Sequence, residues 1–165
     1  MVGYRIIMVK NIQERVRLMG KIDDYPIPKT CIYCNAPVIF TSNAEVYRGR
    51  TYGNGYCYKC TDCDAYVGVH TGTNIPKGRL ANAELRTLKI QCHKLFDPVW
   101  KGSAKRISRG KAYERLAELL NIPNRECHFG WFDKKLLTKS LDILRNPKWY
   151  YDCSGTKYHC LSKGN

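Results

Sequence analysis

Between residues 82 and 100 apolar side chains recur at three- and four-residue steps, at Leu85, Leu88, Cys92, Leu95, Phe96 and Val99. That period predicts an amphipathic helix with one buried stripe, Asn82 as its N-cap, Glu84 in its first turn and Pro98 near its end. Ala112, Tyr113, Leu116, Ala117 and Leu120 predict a second helix from about Lys111 to Asn121, and Leu137, Leu141 and Leu144 a third, capped by Asp133. About eleven residues separate these two, too many for the three- or four-residue turn of a helix-turn-helix.

Upstream the pattern is different. Val38, Ile39, Phe40, Val46, Tyr47, Tyr52, Tyr56 and Tyr58 are β-branched or aromatic, and Gly49, Gly53, Asn54 and Gly55 punctuate them, which predicts short antiparallel strands joined by tight turns. "AYVGVHTGTNIPKG" then reads as the end of a strand and a loop. Residues 4–20 fit a short strand followed by a helix, or one helix ending near Gly20, and "KIDDYPIPKT" fits a linker. The expected class is α+β, a small antiparallel ribbon packed against a bundle of about three helices. The expected divisions are an N-terminal extension (1–29), a ribbon (30–70), a basic helical region (71–147) and an irregular tail (148–165).

The nine cysteines change this picture most. Their number is odd, no export signal or run of about 18 apolar residues is present, and a cytoplasmic location is expected. In a reducing compartment Cys-x-x-Cys pairs bind metal more often than they form disulfides. Cys31 and Cys34 form one pair, and the second is either Cys57 with Cys60 or Cys60 with Cys63. "KCTDCDAYVG" mirrors "TCIYCNAPVIF", each pair preceding a short polar residue and an apolar strand, which favours Cys60 and Cys63. Four thiolates make a closed tetrahedral site for structural zinc, with no position open for catalysis. Cys57, Cys92 and Cys127 then read as small buried hydrophobes.

Charge points to a partner. The chain carries 28 Lys and Arg against 14 Asp and Glu, a net charge of +14. Residues 31–68 are balanced, three cations against three anions, whereas residues 69–165 hold nineteen against eight. The densest run is "KGSAKRISRGKAYER", where Lys101, Lys105, Arg106, Arg109, Lys111 and Arg115 face only Glu114. Such a run neutralises phosphates in a salt-sensitive, largely sequence-blind way. Arg48, Arg50 and Tyr52 in the hairpin add a basic and aromatic surface for a strand, beside Tyr47, Tyr56 and Tyr58, whose competing role is strand packing.

Five segments, taken in order, carry a resemblance: "CIYCNAP", "KCTDCDAYVGVHTGT", "PKGRLANAELRTLKIQCHKLFDPVW", "SRGKAYERLAELLNI" and "CHFGWFD". Over roughly residues 30–145 the chain resembles the zinc-finger-containing domain family of small phage and prophage proteins. The resemblance implies a phage or prophage origin and Cys60 with Cys63 as the second ligand pair, since the family's pair directly precedes Ala-Tyr-Val-Gly. It implies no reaction.

Three functions compete. The leading one is nucleic-acid binding with zinc as structural cofactor. The second is binding of a host protein, with the positive surface mimicking or blocking nucleic-acid contact. The third is a metal-dependent nuclease built from His93, Asp97, His128 and Asp133, if these converge; the competing role of these residues is capping and hydrogen bonding. No phosphate loop, nucleophile elbow or His-Glu-x-x-His is present. A second cluster of Cys153, His159 and Cys160 has no standard metal spacing, and the sequence leaves the oligomeric state open.

Overall fold

The computed structural model describes residues 25–103 and 106–151. The strand and helix expected at residues 4–20, Lys105 and the Cys153, His159 and Cys160 group lie outside the described residues. Three strands come first, β1 (Val38–Ser42), β2 (Tyr56–Cys60) and β3 (Tyr66–Gly68). Three helices follow, α1 (Ala83–Trp100), α2 (Arg109–Leu120) and α3 (Lys134–Leu144), so the class is α+β.

The strands form an antiparallel meander in the order β1-β2-β3. Val38 faces Cys60, Phe40 faces Tyr58, and Tyr58 faces Val67 across the next ladder. Alternation puts Val38, Tyr58, Cys60 and Val67 on one face, where they pack with Cys31, Ala65, Val69 and Leu80 as a small ribbon core. The hairpin between β1 and β2 is shaped by buried Asn43, whose Nδ2 donates to Tyr52 O (2.7 Å) while its Oδ1 accepts the Tyr52 N–H (3.3 Å).

Each helix starts on a short polar N-cap. Asn82 Oδ1 accepts from Leu85 N–H (3.0 Å), Ser108 Oγ from Lys111 N–H (3.3 Å) and Asp133 Oδ1 from Leu136 N–H (2.9 Å). The Ser108 cap starts α2 two residues ahead of the predicted Lys111. In α1 Leu85, Cys92, Phe96 and Val99 are buried, but Leu95 is 38% exposed because it falls beside the stripe rather than in it. α1 lies along α3 and both touch α2.

Phe96 is the centre of the helical core, with the Tyr113, Phe129 and Trp149 rings 4.6, 5.2 and 5.5 Å away. Trp149 and Tyr150, at the start of the segment read as a tail, are buried and belong to this core. Trp149 covers Phe96 and Tyr150 stands edge-on to Trp149 (5.8 Å), since large aromatic rings gain more from burial than from solvation.

Ribbon and helices meet at a backbone contact. Arg79 N–H donates to Gly130 O (2.8 Å), and a Cβ at Gly78, where φ is +151°, would overlap the Gly130 carbonyl. Lys89 Nζ donates to the same oxygen (3.0 Å) and to Arg79 O (3.3 Å). Burial, assisted by the Arg79 charge, pulls the Lys89 ammonium down to about 8. β3 is joined to the start of α1 by paired Tyr66 and Ala81 backbone bonds, both 3.1 Å.

Gly78→Ala is expected to destabilise the protein by about 3 kcal/mol, combining overlap with a backbone angle that L side chains rarely adopt. Gly68→Ala, with nothing within 4 Å of its new Cβ, is the control expected to change little. Urea unfolding of the zinc-loaded protein measures both, and equal effects would show that the close approach is not decisive.

Candidate metal centre

Two turns of the same backbone plan build the site. Cys31 N–H donates to Ala36 O (2.8 Å) and Cys60 N–H to Ala65 O (2.9 Å), each spanning five residues around a Cys-x-x-Cys. Asn35 closes the first turn in the left-handed region, φ +62°, with its N–H on Cys31 O (2.9 Å). An asparagine tolerates this conformation better than most residues.

The turns bring Cys31, Cys34, Cys60 and Cys63 together, with all four sulfurs within 4.8 Å of one another. The shortest separations are Cys34 to Cys60, 3.4 Å, and Cys31 to Cys63, 3.6 Å. A tetrahedron of sulfurs around zinc has edges of about 3.8 Å, from a Zn–S bond of about 2.3 Å. A disulfide needs about 2.05 Å. Spacing and ligand chemistry both fit zinc.

Cys57 is not in this group, and β2 explains why. Cys57 and Cys60 lie on one strand at an odd offset, so their side chains point to opposite faces. Cys57 sits between Thr41 and Gly68 in the ladders and is buried there.

The thiols differ electrostatically before any metal binds. Burial opposes ionisation of Cys60, but the Cys63 and Asp62 N–H groups, each 3.4 Å from its sulfur, and the neighbouring thiols bring it down to about 7. Cys63 receives the Ala65 N–H, yet burial and the surrounding thiols push it up to about 12. A zinc ion supplies the positive charge that lets all four ionise together.

Both turns are tied to the segment that leads into α1 or to α1 itself. Tyr33 donates its hydroxyl to Leu80 O (3.2 Å). Arg86, in the first turns of α1, donates to Ala81 O (2.6 Å) and Asp64 O (2.8 Å) and pairs with the Asp64 carboxylate (2.8 Å), with its guanidinium 4.4 Å from the Tyr66 ring centre. The family model of a zinc-finger-containing domain matches residues 27–147, about three quarters of the chain. The chain belongs to the zinc-finger-containing domain family. No curated protein and no solved structure matches it.

In this family member the zinc site is closed and structural, and the remaining candidate residues lie elsewhere. Among the described residues the four cysteines are the one group of three or more His, Cys, Asp or Glu side chains placed to share an ion. His93 Nδ1 and Asp97 Oδ1 are 3.3 Å apart on α1, with the His93 ring edge-on to Phe129, while His128 packs against Trp131 and Tyr113. Asp133 caps α3. The four nuclease candidates are therefore not gathered around one ion.

The cations divide by surroundings. Lys101, Arg106 and Arg109 are exposed and Lys111 half-buried, all at the corner where α1 ends and α2 begins. Arg106 and Ile107 N–H fold back onto Val99 O (2.6 and 3.2 Å), and the Arg109 guanidinium lies over Trp100 (5.3 Å) and Tyr113 (5.2 Å). Arg115 differs: its side chain is 14% exposed, donates to Trp149 O (3.4 Å) and pairs with Glu118 (3.0 Å), a structural role. Arg48, Arg50 and Tyr52 are exposed on the hairpin, whereas Tyr58 is buried with its hydroxyl on Asn74 O (2.8 Å), and Tyr56 stacks on Phe40 (5.2 Å). Sequence reasoning missed the basic start of α3, Lys134 and Lys135, whose signal was its two adjacent lysines.

Cys60→Ser is expected to lower zinc affinity by more than about a hundredfold, beyond the loss typical of a residue that only supports a ligand. Cys57→Ala is expected to keep the ion. Metal analysis of the purified variants distinguishes them, and zinc loss from Cys57→Ala would contradict the assignment. Because binding requires thiolates from groups held as high as about 12, zinc affinity and thermal stability are expected to fall together as pH falls. A chromophoric zinc indicator read across a pH series checks the release.

Proposed function

We propose that the protein binds nucleic acid largely through backbone phosphates, with the zinc ribbon as its rigid support. The observation that carries the reading is the corner between α1 and α2. There Lys101, Arg106, Arg109 and Lys111 have no ion-pair partner among the described residues, and the first turn of α2 contains no acidic side chain. A helix N-terminus carries partial positive charge and is stabilised by anions, so cations in its first turn cost about 0.3–1 kcal/mol each. A phosphate bound at the first-turn N–H groups that Ser108 does not cap offsets the cost.

α3 repeats the pattern with Lys134 and Lys135 in its first turn and no acid there. Lys134 is paired with Glu84, which leaves the α2 corner as the stronger anion site. Arg109 is held by two aromatic rings, so its guanidinium is ordered before binding and loses less freedom on contact. The net charge of +14 attracts a polyanion at long range. The reading goes with a cytoplasmic location, that of the host cell if the chain is phage-encoded. Among the described residues no helix is long and apolar enough to cross a membrane.

The triple substitution Lys101→Gln, Arg106→Gln and Lys111→Gln is expected to weaken binding of duplex DNA, single-stranded DNA and RNA alike. It should also flatten the slope of log affinity against log salt by about 2–3. Fluorescence anisotropy of the zinc-loaded protein at several salt concentrations measures both. A wild-type protein that binds no probe at low salt overturns the reading.

A further inference from the structure

The hairpin between β1 and β2 ends, away from the zinc, in a concave surface of about 480 Å³ lined by Val46, Tyr47, Arg48, Arg50 and Tyr52. That volume is in the range of ligand sites, roughly 300–1,000 Å³. Its base is fixed by the two Asn43 amide bonds to the Tyr52 backbone. One wall is aromatic: Tyr47 stands edge-on to Tyr66 (5.9 Å) and to Tyr52 (4.8 Å), and Tyr52 as a whole is 55% exposed.

The other wall is cationic. Arg48 and Arg50 are exposed and have no ion-pair partner among the described residues. No acidic residue occurs from Val46 to Tyr58, and Glu45, just before, is occupied by Thr41 and by Lys59 (3.3 Å). Arg48 adopts the left-handed conformation, φ +54°, ahead of Gly49 at +83°. A non-glycine residue held there costs free energy, and the fold bears that cost while presenting a guanidinium.

An exposed tyrosine beside two guanidiniums that have no ion-pair partner among the described residues matches a base attached to its phosphate. A base inside a duplex has both faces covered by its neighbours and cannot reach Tyr52, whereas an unpaired base can stack there. We propose that this cup holds an unpaired nucleotide of single-stranded DNA or RNA, the base on Tyr52 and the phosphate on Arg48 and Arg50. The assignment rests on the nucleic-acid reading above and adds a substrate class to it.

The test compares the zinc-loaded full chain with Tyr52→Ala and Arg48→Gly. Glycine suits the left-handed backbone, so Arg48→Gly removes the guanidinium without adding strain. Zinc content is measured alongside and is expected to stay unchanged in both. The probes are labelled oligothymidylate and oligouridylate of about ten nucleotides, which separate DNA from RNA, and a duplex of the same length. Wild type is expected to prefer single strands, and each variant to lose about tenfold in single-strand affinity with less than about a twofold change on duplex. Unchanged single-strand binding in both variants, or equal losses on single strand and duplex, overturns the cup while leaving the phosphate reading intact. Failure of wild type to bind any probe at low salt overturns both.

Discussion

Four sulfurs held at tetrahedral spacing are the constraint on which the ribbon depends. Its strands are five, five and three residues long, and the apolar side chains they bury are few. Sheets of this size are marginal unless something else closes them. A structural zinc contributes on the order of 10 kcal/mol to such modules, as much as the whole packing of Tyr58, Val67, Val69 and Leu80. Cys31 precedes β1 and Cys60 ends β2, so the ion also fixes the register in which Val38 faces Cys60.

The second constraint joins ribbon to helices, and at its closest point backbone meets backbone. Gly78 and Gly130 approach so closely that neither position has room for a side chain. The cations at this joint are satisfied by carbonyl oxygens: Arg79 donates to Trp131 O (3.3 Å), and Lys89 to Arg79 O and Gly130 O. Carbonyls accept the hydrogen bonds without cancelling the charge. The arrangement therefore adds to the positive field even where Lys89 is largely buried.

Similar residues have different uses according to what surrounds them. Arg86 and Arg115 are tied into the structure through carbonyls and carboxylates. Arg109, Arg48 and Arg50 lie against aromatic rings or in the open, without a carboxylate partner among the described residues. The same contrast separates Tyr58, buried under the ribbon, from Tyr52.

Local features of the chain were legible because local physics decides them. Asn82 and Asp133 announced their helices, since a cap needs only a short polar side chain and the N–H groups that follow it. The period of Leu85, Cys92, Phe96 and Val99 marked a buried face, and Cys-x-x-Cys marked two metal-binding turns, because these spacings follow from helix and turn geometry, while the alternation of β2 left Cys57 out of the second. Other features depended on segments far apart in the chain. Trp149 joins Phe96, the Gly78 backbone meets Gly130, and His93, Asp97, His128 and Asp133 separate into packing and capping roles. Charge density along the chain marked Arg109 and Arg115 alike. Only the folded structure, which sets Arg115 against Trp149 O and leaves Arg109 facing solvent, decided between them, because exposure is a property of packing rather than of spacing.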